Sequence, residues 1–380
     1  MTEPRLPITI LTGFLGSGKT TLLNKLLRQE AMVGTLVIVN EYGEVGLDHL
    51  LMETPEDETV LLSNGCLCCA ILGDLVVTLS RLLERRQKGE LPPFDRVVIE
   101  TTGLADPAPL LQTVLSDEEI STAFRLDAVV TVVDTVHGRA QLDMHFESVK
   151  QAAVADRIVF SKTDLAGPDE LERLTAKLRR LNRSARLLTA VRGEIAAEEL
   201  LGDRPQERDW SAWLGAQDIE REAGTAGRHH GHAQHGQSHP HRHGHDHGAA
   251  EDGIATFSLR RPGEITADGL RLWLNALARF RGPNLLRVKG IFNVEGKPIV
   301  VHAVQHLFHE PERLAAWPSE ERDTRIVFIA QDLNRGEIEA TLSALDFGTG
   351  GKEAAPNLFN AQDYVRFVDA LRGFDPVERY

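Results

Sequence analysis

Gly13-Phe14-Leu15-Gly16-Ser17-Gly18-Lys19-Thr20 decides how this chain folds. The stretch fits the pattern G-x-x-x-x-G-K-[ST], which marks a phosphate-binding loop when a strand precedes it and a helix follows. Both flanks are present. Ile8-Thr9-Ile10-Leu11 is short, apolar and partly β-branched, as a buried parallel strand requires. Thr20 to Leu27 places leucines on one face at helical spacing. In that setting Gly13, Gly16, Ser17 and Gly18 turn backbone N–H groups toward a phosphate. The helix N-terminus, with Thr20 and Thr21 in its first turn, adds its positive dipole end. Lys19 brings a mobile charge to the terminal phosphates, and the Thr20 hydroxyl is placed for Mg²⁺.

Further along, two more strand ends carry chemistry. Asp95 to Glu100 is an apolar strand ending in an acid, followed by Thr101-Thr102-Gly103. This is the Walker B arrangement. It puts Glu100 near Mg²⁺ or the attacking water, and Gly103 can bond a γ-phosphate through its N–H. Asp127 to Asp134 is a further buried strand. Arg157 to Phe160 is the next, and it delivers Ser161-Lys162-Thr163-Asp164, which matches the guanine-reading pattern [NST]-K-x-D. The Asp164 carboxylate can accept from both guanine N1–H and the exocyclic amine. Adenine offers no such pair, so a carboxylate there selects GTP over ATP. Lys162 lies over the base in this scheme. Ser161 stands where Asn is commoner, which removes one side-chain contact.

All three cysteines fall at Cys66, Cys68 and Cys69, after the short strand Val60-Leu61-Leu62. A clustered, odd set points to metal or redox chemistry and not to a disulfide framework. Thiolates suit Zn²⁺ and, with mixed partners, Co²⁺. Cys66 and Cys68 alternate along extended chain, while Cys69 can enter the helix expected over Ile71 to Arg86. Not all three need bind one ion. With no second C-x-x-C the site is open, and Glu, His, water or a partner must complete it. The acidic, glycine-rich loop Asn40 to Asp48, after the strand Leu36 to Val39, is placed to act as a first switch and supplies Glu44 as a candidate fourth ligand.

The chain has 380 residues and a net charge of -14. That length implies two domains. The acidic balance argues against nucleic acid as a main partner, since phosphate backbones need a basic face. No apolar run reaches the ~18 residues of a membrane span. Met1-Thr2-Glu3-Pro4-Arg5 lacks the regions of a signal peptide, so a cytoplasmic location is expected.

Arg186 to Thr189 closes the first set of strands, and Glu198 to Trp213 has amphipathic helical spacing. Nine of the fifteen histidines then fall between His229 and His247, among Gly, Gln, Ser and Pro, a metal-buffering composition. Strand patterns return at Ile254–Leu259, Leu285–Phe292, Ile299–His306 and Thr324–Ala330. Helical patterns fall at Thr266–Phe280 and Arg335–Leu345. His302, His306 and His309 read as fillers of a sheet face. The expected layout is an α/β nucleotide-binding domain with a mostly parallel sheet over 1–215, a histidine-rich linker over 216–252, a smaller α+β domain over 253–345, and an extension over 346–380. The extension ends in a helical pattern over Ala361 to Leu371 and receives no function at this stage.

Taken together, Gly13–Thr20, Asn40–Asp48, Cys66–Cys69, Glu100-Thr101-Thr102-Gly103-Leu104-Ala105-Asp106-Pro107 and Ser161–Asp164 resemble the CobW-type GTPases of the G3E class. The resemblance covers nearly the whole chain, histidine tract included. It implies a SIMIBI-type P-loop fold, slow GTP hydrolysis, and delivery of a metal, often Zn²⁺, to client metalloproteins. Ser161 and the long tail depart from the family's pattern. Oligomeric state is left open, a homodimer included. Two other readings stand beside this one: a P-loop phosphoryl transferase, and a metal storage or sensing protein built on the histidine tract. Product analysis separates the first. Hydrolysis predicts free phosphate from GTP, whereas a phosphoryl transferase predicts a phosphorylated metabolite.

Overall fold

The computed structural model describes residues 5–40, 60–61, 67–70, 75–201, 214, 253–305, 307–309 and 311–346. β1 (Leu6–Thr12) runs into the glycine loop, and α1 (Lys19–Leu26) leaves it. β2 (Thr35–Asn40), β3 (Val60–Leu61) and β4 (Leu67–Ala70) follow. α2 (Leu75–Gln87) leads to β5 (Arg96–Thr101). α3 (Pro107–Ser116), α4 (Glu118–Ala123) and β6 (Phe124–Asp134) come next. α3 starts where the Asp106 side chain accepts from the Ala108 N–H and Pro107 takes the first helical position. After α5 (Gly138–Met144), α6 (Phe146–Ala153), β7 (Arg157–Ser161), α7 (Pro168–Leu181), β8 (Arg186–Thr189) and α8 (Ala197–Leu200), the first unit is complete.

These strands form one sheet in the order β3-β4-β2-β5-β1-β6-β7-β8. Every neighbouring pair is parallel except β3 with β4. Alternate residues serve opposite faces. Ile8, Ile10 and Ile99 pack with Leu79, Leu111 and Ile120 on one side. Leu11, Val98 and Val132 pack with Leu22, Leu23 and Leu26 of α1 on the other. A sheet covered on both faces needs apolar residues at every position, and β1 and β5 supply them. Helical crossovers between parallel strands leave the carboxyl ends of β1, β5, β6 and β7 on one edge, where ligands bind.

A second, antiparallel sheet has the order β12-β11-β10-β14-β9, with β13 beside β11. Its strands are β9 (Ile254–Arg261), β10 (Leu285–Val294), β11 (Lys297–Val304), β12 (Leu307–Phe308), β13 (Glu312–Arg313) and β14 (Thr324–Gln331). The turn between β10 and β11 is Glu295-Gly296, both at positive φ, the conformation that matches strand twist in a two-residue hairpin. One face carries α9 (Ala267–Arg281), α10 (Arg335–Thr341) and a 3₁₀ turn at Leu342–Asp346. Trp273 of α9 is fully buried there, and its indole N–H donates to Thr341 Oγ1 at 2.8 Å.

One expectation changes. Cys69 does not enter a helix. It lies in β4, in register with Ile38 of β2, while α2 begins only at Leu75. Pairing with β2 along the sheet outweighs the local helical pattern that follows the cysteines. Cys66, Glu44, the loop 41–48, the histidine tract and the helical pattern 361–371 lie outside the described residues, as does all but Leu214 of residues 202–252.

The two sheets meet at a charged contact. Asp156, just before β7, pairs with Arg287 and, at 3.2 Å, with Lys289, both buried on β10. Its second oxygen accepts the Val129 N–H at 3.0 Å. Around it, Ile254, Leu286 and Ile329 of the second sheet join the core formed by α6, α7 and β7. Burial raises the Asp156 pKa. The Arg287 and Lys289 charges, the Val129 amide and His302 outweigh it and hold the carboxyl below the ordinary carboxylate range. Asp156→Asn should therefore cost about 2–4 kcal/mol of stability at neutral pH, because two buried cations lose their anion. A depressed pKa stabilises above the unfolded value, an ordinary 3.8 here, and that contribution fades as pH falls below it. Denaturant titrations should show a constant gap between the two proteins near neutrality that shrinks under acid.

Candidate functional site

The glycine loop is pressed against the strand beside it. Gly13 has φ +145°, and a Cβ there would come 2.3 Å from the Val132 carbonyl oxygen and 2.9 Å from Ser17 Oγ. Only glycine fits a backbone held that close to β6. Gly16 and Gly18 complete the turn, and the first bond into α1 runs from the Leu22 N–H to the Gly18 carbonyl at 2.9 Å. The amides of Lys19, Thr20 and Thr21 thus belong to the first helical turn, where no carbonyl of the helix can reach them. They ring the mouth of the loop. Lys19 is buried, and its Nζ donates to the Gly13 carbonyl at 2.9 Å. Ser17 Oγ is also buried and has no hydrogen-bond partner among the described residues. Closely approached backbone, first-turn amides and a lysine folded over the loop form a cradle suited to a polyphosphate.

β5 lies directly beside β1 and brings Glu100 to the cradle. Glu100 is buried, and its Oε1 accepts from Thr20 Oγ1 at 2.8 Å. A hydroxyl and a carboxylate side by side at a phosphate cradle are the hard oxygen donors that Mg²⁺ prefers. The segment after Glu100 is packed on the loop itself. A Cβ at Gly103 would meet the Leu15 backbone at 2.7 Å, so the two segments touch main chain to main chain. The Gly103 carbonyl accepts from Gln151 Nε2 at 3.1 Å, as does the Ala105 carbonyl at 3.0 Å. Gln151 is fully buried in α6, and its backbone carbonyl accepts from Thr131 Oγ1 at 2.7 Å.

The third contributor is the end of β7. Ser161 is buried, and its hydroxyl donates to the Ser17 carbonyl at 2.6 Å. The hydroxyl is thus directed into the phosphate loop. Lys162, at φ +55°, reaches the Gly16 carbonyl and Asp134 Oδ2, both at 2.7 Å. Asp134 at the end of β6 is buried, and its other oxygen accepts the Val136 and His137 N–H groups. Asp164 is partly exposed, with Arg192 at 3.4 Å. Arg192 is itself 82% exposed, so screening leaves this pair weak and the carboxylate open to a ligand.

The structure brings together Gly13, Gly16, Ser17, Gly18, Lys19, Thr20, Thr21, Glu100, Gly103, Ser161, Lys162 and Asp164 at one edge of the sheet. Sequence patterns missed Asp134 and Gln151. A carboxylate closing an apolar strand was a signal for Asp134. Nothing local marked Gln151, which acts through the fold. Among the described residues no cluster of His, Cys, Asp and Glu forms a metal site, and Cys66 and Glu44 lie outside them.

Comparison with known proteins converges on one family. A family model described as CobW/HypB/UreG, nucleotide-binding domain, matches residues 7–189. A second, the cobalamin synthesis protein cobW C-terminal domain, matches residues 254–346. The chain is 32% identical over 340 residues to the zinc chaperone YjiA of Escherichia coli, covering 89% of this chain and 98% of that protein. It is 29% identical over 378 residues to the zinc chaperone CobW of a Sinorhizobium species, covering 90% and 98%. The crystal structure of the Zn(II)-bound YjiA GTPase from E. coli superposes with a TM-score of 0.66 at 29% identity, covering 90% of this chain and 99% of that one.

Asp164→Asn should weaken a GTP analogue at least about 100-fold, because the amide cannot accept both guanine donors. Ser161→Ala should instead weaken guanine and adenine nucleotides alike, by about 1 kcal/mol, because it loosens the phosphate loop. Calorimetric titration of both nucleotides into each variant separates the two roles.

Proposed function

The chain belongs to the CobW/HypB/UreG nucleotide-binding family of GTPases, with a CobW C-terminal domain behind it, and from that footing we propose that it hydrolyses GTP to deliver zinc to client metalloproteins. Full-length relatives are named zinc chaperones, which brings Zn²⁺ here as the cargo. Thiolates accept Co²⁺ as well, which makes cobalt the alternative cargo.

One observation carries the coupling of metal to nucleotide. The cysteine strand β4 belongs to the same parallel sheet as the nucleotide site. Cys69 pairs with Ile38, Ile38 with Ile99, and Ile99 with Ile10. The next row runs Ala70, Val39, Glu100, Leu11. Cys69 therefore sits one residue before the row of Glu100, two strands away, at about 10 Å given the usual interstrand spacing. A rearrangement at the end of β5 has a short, hydrogen-bonded route to the cysteine strand. Cys66, Cys68 and Cys69, with Glu44, are the proposed metal ligands.

At the nucleotide, the Lys19, Thr20 and Thr21 amides and the Lys19 ammonium hold the phosphates. Asp164 reads guanine and Lys162 backs the base. Thr20 and Glu100 are the donors that would hold Mg²⁺, which supplies charge neutralisation at the phosphate oxygens when bound. Gly103, packed on Leu15, offers its N–H to the γ-phosphate. Losing that phosphate removes one of the contacts on the segment after Glu100 and leaves it to the Gln151 bonds and the Leu15 packing. No described helix is long and apolar enough to cross a membrane.

Competition titrations should give zinc affinities that differ at least about tenfold, or about 1.4 kcal/mol, between the GTP-analogue and GDP forms. Cys68→Ala should weaken zinc binding and leave the GTP affinity of the zinc-free protein unchanged. Equal zinc affinity in both nucleotide states would remove the coupling.

A further inference from the structure

Residues 347–380 lie beyond the matched C-terminal domain and take no part in the nucleotide or metal reading. Their sequence carries one strong pattern. Tyr364, Phe367, Val368 and Leu371 fall at i, i+3, i+4 and i+7, with Arg366 and Asp369 between them and Gln362 and Asp363 just before. This is an amphipathic helix spacing with a large apolar stripe. Such a helix is marginal in water unless the stripe is covered.

The described part of the molecule offers a matching groove. It has a volume of about 670 Å³ and is lined by Leu270, Leu274 and Ala278 of α9, Leu307 and Phe308 of β12, and Leu115 of α3. That volume is in the range that accepts several apolar side chains. Arg271 stands at its rim, 72% exposed, where an acidic flank on an incoming helix would meet it. Leu115 comes from the nucleotide domain and the rest from the second sheet and its helix, so an occupant would touch both.

The chain also ends in the right place. The 3₁₀ turn Leu342–Asp346 packs on α9, with the Leu345 carbonyl oxygen 2.4 Å from where a Cβ on Gly269 would stand. Asp346 is tied to Arg261. Gly269 lies on the flank of α9 away from Ala278, so the tail must cross the helix to reach the groove. Residues 347–360 are fourteen in number. Extended, they span up to ~46 Å, against a helix ~10–12 Å across. A tether of that length gives the tail a local concentration near the millimolar range, far above that of a second molecule.

From this match we infer that the segment 361–371 docks as a helix in the α9–β12 groove of its own chain, with Phe367 and Leu371 as anchors, and bridges the two domains there. This inference does not rest on GTP or zinc. The full-length protein with p-benzoyl-phenylalanine in place of Phe367 is irradiated, and cross-linked peptides are mapped. The expected product has the mass of one chain and joins residue 367 to residues 267–278 or 307–308. Cross-linking only between two chains would assign the groove to a second copy, and a product elsewhere or none in the groove would also overturn the proposal. Independently, Phe367→Asp with Leu371→Asp in the full chain should raise amide exchange at 274–281 and 307–308 by about tenfold or more. Unchanged exchange there, in a protein that still folds by circular dichroism, would overturn it as well.

Discussion

The turn after β1 leaves room at Gly13 for a hydrogen and nothing larger, because the Val132 backbone of β6 stands against it. That crowding is the constraint on which the nucleotide end depends. It forces the loop to curl back over the strand ends, which sets α1 starting at Lys19 and points its first-turn amides at the mouth. Three further contacts then hold the loop from outside. Thr20 is bonded to Glu100, Ser161 to the Ser17 carbonyl, and Lys162 to the Gly16 carbonyl. The first comes from the end of β5 and the other two from the end of β7. The phosphate cradle, the acid beside it and the Ser161-Lys162 segment are thus one hydrogen-bonded object.

That construction explains how a missing asparagine is tolerated at position 161. In the pattern the commoner Asn contributes a side-chain contact. Here the shorter hydroxyl turns inward and fastens the phosphate loop. In the proposed scheme base selection then falls on Asp164, whose carboxylate has a screened, exposed partner in Arg192. Asp134 is the buried counter-charge that holds Lys162 in its left-handed backbone position. A strained residue persists where its surroundings over-determine it, and two short hydrogen bonds to the Lys162 ammonium do so.

The same sheet ties two other segments to the site. Through β2 and β5 the cysteine strand is in register with Glu100, with Ala70 in the same row. Through Asp156, at the start of β7, the strand that ends in Ser161 is anchored to β10 of the second domain. Taking these charges out of water is expensive, and the carboxylate, two cations and the Val129 amide offset that cost only when all are in place. The second domain is therefore held at the base of the strand whose far end carries Ser161 to the phosphate loop.

The sequence by itself determined the phosphate loop, its strand and helix, the apolar strands ending in Glu100 and Ser161, and the helix over α9. Each is a local matter: turn chemistry, hydrophobic period and capping act over a few residues. It placed Cys69 wrongly at a helix start, because the pattern beyond the cysteines is helical while the pairing that keeps Leu67–Ala70 extended comes from β2, some thirty residues back. Only the tertiary structure decided that Ser161 faces the loop and that Gln151 holds Gly103. It alone showed that Asp156 meets Arg287 across 131 residues of chain, and Lys289 beside it. Those choices depend on which strands become neighbours, and contacts between distant segments leave no period or spacing in the sequence to read.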